Sequence, residues 1–154
     1  MAELKTVESV DVKRYMGTWF EIAKLPQRFE KGLVGITANY TLLPDGKVRV
    51  INNGYKEGFN GKLKTIKGKA WVADTKTNAK LKVSFFWPFA ANYWIIELGK
   101  DYEYAVVGGE SRRYLWILSR TPQMDEAVYN ELLKRAKDKG FDISKLEKVP
   151  QRQI

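Results

Sequence analysis

With 154 residues, 44% of them hydrophobic and 13% aromatic, the chain is large enough to bury one core, and a single domain over residues 1–154 is expected. It has neither histidine nor cysteine, which excludes disulfides, thiolate or imidazole metal sites and the imidazole of a Ser-His-Asp triad; no cofactor is expected, and catalysis would rest on Asp, Glu, Lys, Tyr or Ser alone. The net charge of +9 is spread singly, as in Lys80-Leu81-Lys82-Val83, like the solvated face of a sheet, and without a nucleic-acid-binding motif it points to anionic lipid surfaces or anionic ligands.

No apolar run is long enough to cross a bilayer. The opening Met1-Ala2-Glu3-Leu4-Lys5 lacks the charged-then-apolar pattern of a signal peptide, so it reads either as a cytosolic start or as a mature form with a new start codon. A short helical turn over residues 11–16 then leads into a first strand at 17–26, where Trp19, Phe20 and Ile22 lie between the breakers Gly17 and Pro26. Residues 27–35 read as a large loop. Strand 36–43, with Ala38, Tyr40 and Leu42 on one face, ends at the hairpin turn Pro44-Asp45-Gly46. Strand 47–55 alternates Val48, Val50 and Asn52 against Arg49 and Ile51, and a glycine-rich turn follows.

Strand 62–73 sends Lys67 and Lys69 outward, while Gly68 and Ala70 leave room inside. Strand 80–86 points Leu81, Val83 and Phe85 inward; an aromatic loop over 87–92 precedes strand 93–98, which is read with Trp94, Ile96 and Leu98 inward and Glu97 outward. Strands at 103–107 and 113–120 complete a set of eight. The period then changes to that of an amphipathic helix over 125–139, with Val128, Leu132, Leu133 and Ala136 on one stripe, Asp125 as N-cap, Met124 and Tyr129 as a hydrophobic staple and Gly140 as its stop. A ninth short strand is expected near 148–150.

Eight antiparallel strands with mostly short connections, followed by one helix, predict an all-β fold: an eight-stranded up-and-down barrel over about 17–120 with the helix packed outside. A sandwich would need long crossovers that the spacing does not supply. Alternating turns then bring Gly17, Trp19, Asp101, Tyr102 and Arg120 to one end, where the guanidinium can stack on the indole and close the base. The long 27–35 loop and the aromatic 87–92 loop fall at the other end, as the rim of a mouth.

Gly17-Thr18-Trp19, Asp101-Tyr102 and Leu118-Ser119-Arg120-Thr121-Pro122 resemble the three signature regions of the lipocalins, in the right order. The segments 19–23, 28–32, 81–86 and 114–122 are similar to the bacterial branch, the Blc-like outer-membrane lipoproteins related to apolipoprotein D, and the resemblance runs from about Val10 to Val149. Two departures stand out. Members of the lipoprotein branch carry a leader ending in an acylated cysteine, which is not seen here, and Leu33 stands about where apolipoprotein D-like members have a disulfide cysteine.

The resemblance implies a non-enzymatic carrier of a fatty acid or lysophospholipid, serving envelope lipid maintenance in the bacterial outer membrane or periplasm if a leader was removed, and the cytoplasm otherwise. Strand parity assigns Tyr40, Val50, Asn52, Ala70, Val83, Phe85, Trp94, Tyr104 and Trp116 to the interior, and Tyr40, Asn52 and Trp116 also match pocket positions in apolipoprotein D-like relatives. Lys56 continues the inward parity towards the mouth, where its ammonium can meet a carboxylate or phosphate head group, while Phe29, Trp87 and Phe89 form an apolar rim suited to peripheral membrane contact. For each interior position, ordinary core packing is the alternative. A pigment- or tetrapyrrole-binding barrel and a lipid-converting enzyme are the other functional readings; the expected state is a monomer or weak homodimer without nucleic acid.

Overall fold

A computed structural model describes residues 3–153, apart from the side chain of Phe29. Met1 and Ala2, with the leader question attached to them, lie outside the described residues. Asp11 caps a single helical turn, α1 (Val12–Tyr15), accepting from the backbone N–H groups of Lys13 and Arg14 at 3.1 and 3.4 Å. Eight strands follow: β1 (Gly17–Lys24), β2 (Leu33–Leu42), β3 (Val48–Lys56), β4 (Leu63–Val72), β5 (Lys80–Phe86), β6 (Phe89–Leu98), β7 (Tyr104–Gly108) and β8 (Leu115–Ser119). Each pairs antiparallel with the next, and β1 pairs with both β8 and β2, which closes the cylinder. A two-residue strand, β9 (Glu147–Lys148), adds to the outside of β1.

The barrel separates two apolar clusters. Alternating side chains of β1 to β8, among them Trp19, Ala38, Tyr40, Val50, Leu81, Ile95, Val107 and Leu118, face inward. On the outside, Ile96, Val106, Leu115 and Ile117 meet Tyr129, Leu132 and Ala136 of the helix α2 (Glu126–Asp138). Asp125 caps that helix through the N–H groups of Ala127 and Val128, and Gly140 leaves it at φ +95°. Arg135 and Lys139 both reach Glu97 of β6, at 2.7 and 3.1 Å, and fasten the helix to the wall.

Trp19 and Arg120 close the base of the barrel. The Arg120 guanidinium lies 3.8 Å from the centre of the Trp19 ring and donates to the backbone carbonyls of Arg14, Thr18 and Tyr102. Gly17 sits at φ +100°, and a Cβ there would come within 3.3 Å of Arg120 Nη1, so both conformation and space call for glycine. Tyr102 receives the Asp11 N–H on its hydroxyl at 2.8 Å, whereas Asp101 is exposed and enters the turn through its backbone N–H, donated to Glu103 Oε1.

Two expected loops are shorter than read from sequence. Gly35, at φ +61°, lies in a one-residue register shift that lets Leu33 and Val34 pair with Lys56 and Tyr55, so β2 starts earlier and the large loop shrinks to residues 27–32, built around a 3-10 turn (Arg28–Glu30). The aromatic segment forms a tight turn at Trp87 and Pro88, with Phe86 opposite Phe89; residues 89–92 already belong to β6.

Candidate internal ligand site

Within the barrel lies a cavity of about 640 Å³, inside the range of small-molecule pockets. It exists because the inward positions of β2, β3 and β4 are small or slender: Ala38, Val48, Val50 and Ala70 border it. Gly68 has a related effect from behind, since a Cβ there would collide with the Phe85 ring, which packs across the glycine and forms part of the wall. Exposed residues among those bordering the cavity, Phe86, Phe89, Ala90, Ala91, Asn92 and Tyr114, mark its opening, at the end of the barrel away from Trp19.

Seven of the residues assigned to the interior or to ligand contact border this space: Tyr40, Val50, Asn52, Ala70, Val83, Phe85 and Trp116. Three do not. Trp94 faces outward into the helix cluster, with the Lys80 ammonium 4.3 Å from its ring centre. The cause is an extra residue in β6: Ile95 pairs with Val107 and Glu97 with Val106, so Ile96 is a bulge that reverses the alternation. Counting back from the inward Leu98 therefore puts Trp94 on the wrong face; Tyr93 and Ile95 are the inward pair. Tyr104 also packs on the outer cluster, because Ala105 and Val107 take the inward positions of β7. Lys56 ends β3 opposite Leu33 and is exposed; the lysine that borders the cavity is Lys64 of β4.

The sequence reading also missed a buried polar group in the wall. Ile22 is an extra residue in β1, since Glu21 pairs with Leu118 and Ala23 with Ile117, and the shift leaves both Glu21 and Lys24 buried. Lys24 donates to the backbone carbonyl of Glu30 at 2.9 Å. The Glu30 carboxylate accepts from Gln27 Nε2 at 2.6 Å and from the Trp116 indole at 3.1 Å, and both glutamates border the cavity. Burial, then the neighbouring Glu30 carboxyl, raises the Glu21 carboxyl well above its usual range, with Lys24 acting against them. The signal available in sequence was a charged pair, Glu21 and Lys24, three apart in an otherwise apolar strand. Among the described residues no group of His, Cys, Asp or Glu side chains is placed to hold a metal ion.

A lipocalin-like domain model matches residues 10–151. The chain is 48% identical to the outer membrane lipoprotein Blc of Escherichia coli K12, covering 94% of this chain and 81% of that protein. It is 46% identical to temperature-induced lipocalin-1 of Arabidopsis thaliana, covering 97% and 83% respectively. Among solved structures, insecticyanin from the tobacco hornworm Manduca sexta superposes with a TM-score of 0.78 over 99% of this chain and 86% of that one, at 22% identity, a likeness of fold.

Proposed function

Because the chain belongs to the lipocalin-like family, and because its barrel is sealed at one end and hollow above the seal, we propose that it binds and carries a small hydrophobic molecule. The observation that carries this reading is the open, mostly apolar cavity of about 640 Å³. A single long acyl chain, a fatty acid or the chain of a lysophospholipid, suits such a space, each buried methylene contributing about 0.8 kcal/mol. Lys64 at its edge supplies a cation for an anionic head group. The role is non-enzymatic, and the likeness to an outer membrane lipoprotein favours work in a bacterial envelope, in upkeep of its lipids.

The rim fits that setting. Phe86, Trp87 and Phe89 are 75%, 81% and 77% exposed at the tip of the β5–β6 hairpin, beside the opening, where they can enter a lipid surface. No helix among the described residues is long and apolar enough to cross a membrane.

Titration with a long-chain fatty acid and with a lysophospholipid is the test. Saturable quenching of tryptophan emission is expected, reported by Trp116 on the cavity wall rather than by Trp94 on the outside, and Ala70→Phe, which fills the space, is expected to lose it. Unchanged emission with both lipids at about tens of micromolar would refute the carrier reading.

A further inference from the structure

Three tyrosine hydroxyls meet inside the barrel towards its sealed base. Tyr15 comes from α1, Tyr40 from β2 and Tyr93 from β6, and all three side chains border the cavity. The Tyr15 ring rests against Trp19, with centroids 5.0 Å apart, and its backbone carbonyl accepts the Trp19 indole N–H. Tyr93 stands edge-on to both other rings, and its hydroxyl oxygen lies 2.7 Å from that of Tyr15 and 2.8 Å from that of Tyr40.

These two contacts are the only hydrogen bonds of the three hydroxyls among the described residues. Three hydroxyls carry three protons, and two hydrogen bonds use two of them. Whichever way the chain of donors runs, one O–H is left without a protein acceptor. Burial raises all three phenols, so the trio keeps its protons at neutral pH and remains a donor.

We propose that this trio is a second polar subsite, taking a single uncharged oxygen, a hydroxyl or carbonyl, carried on the buried end of a lipid chain. The inference rests on the lipid-carrier reading and sharpens it: an oxygen-bearing chain is accepted where a purely hydrocarbon floor would reject it. One donor matches one acceptor oxygen. A carboxylate would be left largely desolvated there, and Glu30, close enough to Tyr40 to influence its titration, opposes a further anion. Arg120 draws the other way through Tyr15, but its guanidinium is stacked on Trp19 and bonded to three backbone carbonyls.

The experiment displaces a bound fluorescent fatty acid with laurate, myristate and palmitate and with the ω-hydroxy derivative of each, so that one chain length brings its terminal oxygen to the trio. Replacing all three tyrosines by phenylalanine removes every donor and keeps the rings. For the chain that reaches, that variant is expected to lose about tenfold in its affinity for the ω-hydroxy form relative to that for the parent acid, beyond any loss the two share. Tyr40→Phe alone still leaves one unpaired donor and keeps the wild-type preference. Tyr93→Phe frees two donors and binds the ω-hydroxy form at least as tightly, a check that stands even if the triple variant does not fold. Parallel changes for hydroxylated and plain chains in the triple variant, or a Tyr93→Phe protein that loses the ω-hydroxy form alone, overturn the subsite and leave the carrier role intact; a wild-type protein that binds neither form overturns both.

Discussion

Glu21 is only 3% exposed, so its surroundings set the pH at which it gives up its proton. Burial and the adjacent Glu30 both disfavour a second negative charge, and the folded chain therefore holds a proton that the unfolded carboxyl sheds above its ordinary value. With the folded pKa raised, this group's stabilising effect is full below the unfolded pKa and is lost as pH rises through the folded one. Glu21→Gln, a permanent mimic of the neutral acid, is expected to flatten that fall: denaturant midpoints measured from about pH 4 upward should converge with the wild type at the acid end and exceed it at the alkaline end. An identical slope in both proteins would place the proton elsewhere. The same residue shows where sequence reading stops. Its neighbours Trp19 and Phe20 alternate as a strand should, but the bulge at Ile22 has no mark in the side-chain pattern, because an extra residue is a property of pairing with β8.

Elements whose burial lies on one face were legible for that reason. In β3 and β5, Val48, Val50, Leu81 and Val83 repeat every second residue without a register break before Val83, so their inward faces could be counted. The helix was equally plain, since Asp125 caps it, Leu132 and Ala136 repeat at helical spacing, and Gly140 ends it. What failed were stretches governed by partners: Ala90, Ala91 and Asn92 have little strand preference and become β6 only because β5 offers them a ladder. The closed cylinder also divides labour between its faces. Leu132 is buried on the outer side of the wall, and the cavity lies on the inner side. Leu132→Ala is expected to destabilise the fold by about 2–5 kcal/mol in urea unfolding while leaving lipid affinity within about twofold. A joint loss of affinity would mean that the helix, not the cylinder alone, shapes the cavity.

At the scale of the molecule the two ends of the barrel differ in charge as well as in shape. Connections at the sealed end mix signs: Asp45 with Lys47, Asp74 with Lys76, Lys100 with Asp101 and Glu103. At the open end, Arg28, Lys31, Lys56, Lys62 and Arg113 are exposed in or beside the connections, against Glu57 and Glu110. The excess of cations stands around the apolar tip of Phe86, Trp87 and Phe89, an arrangement of the kind that suits docking on an anionic bilayer. The protein is therefore expected to sediment with vesicles containing phosphatidylglycerol and much less with phosphatidylcholine alone, with the bound fraction falling as salt rises, because screening shortens the reach of the charges. Trp87→Ser with Phe89→Ser should abolish sedimentation without altering lipid titration in solution, as Trp87 does not border the cavity and Phe89 does so only at the rim. Quenching by bromine-labelled acyl chains should reach the wild-type protein and disappear in the double variant. Equal binding to neutral and anionic vesicles would remove charge from this account, and undiminished binding by the double variant would move the contact away from the mouth; in either case delivery of a lipid from bilayer to cavity would need another route.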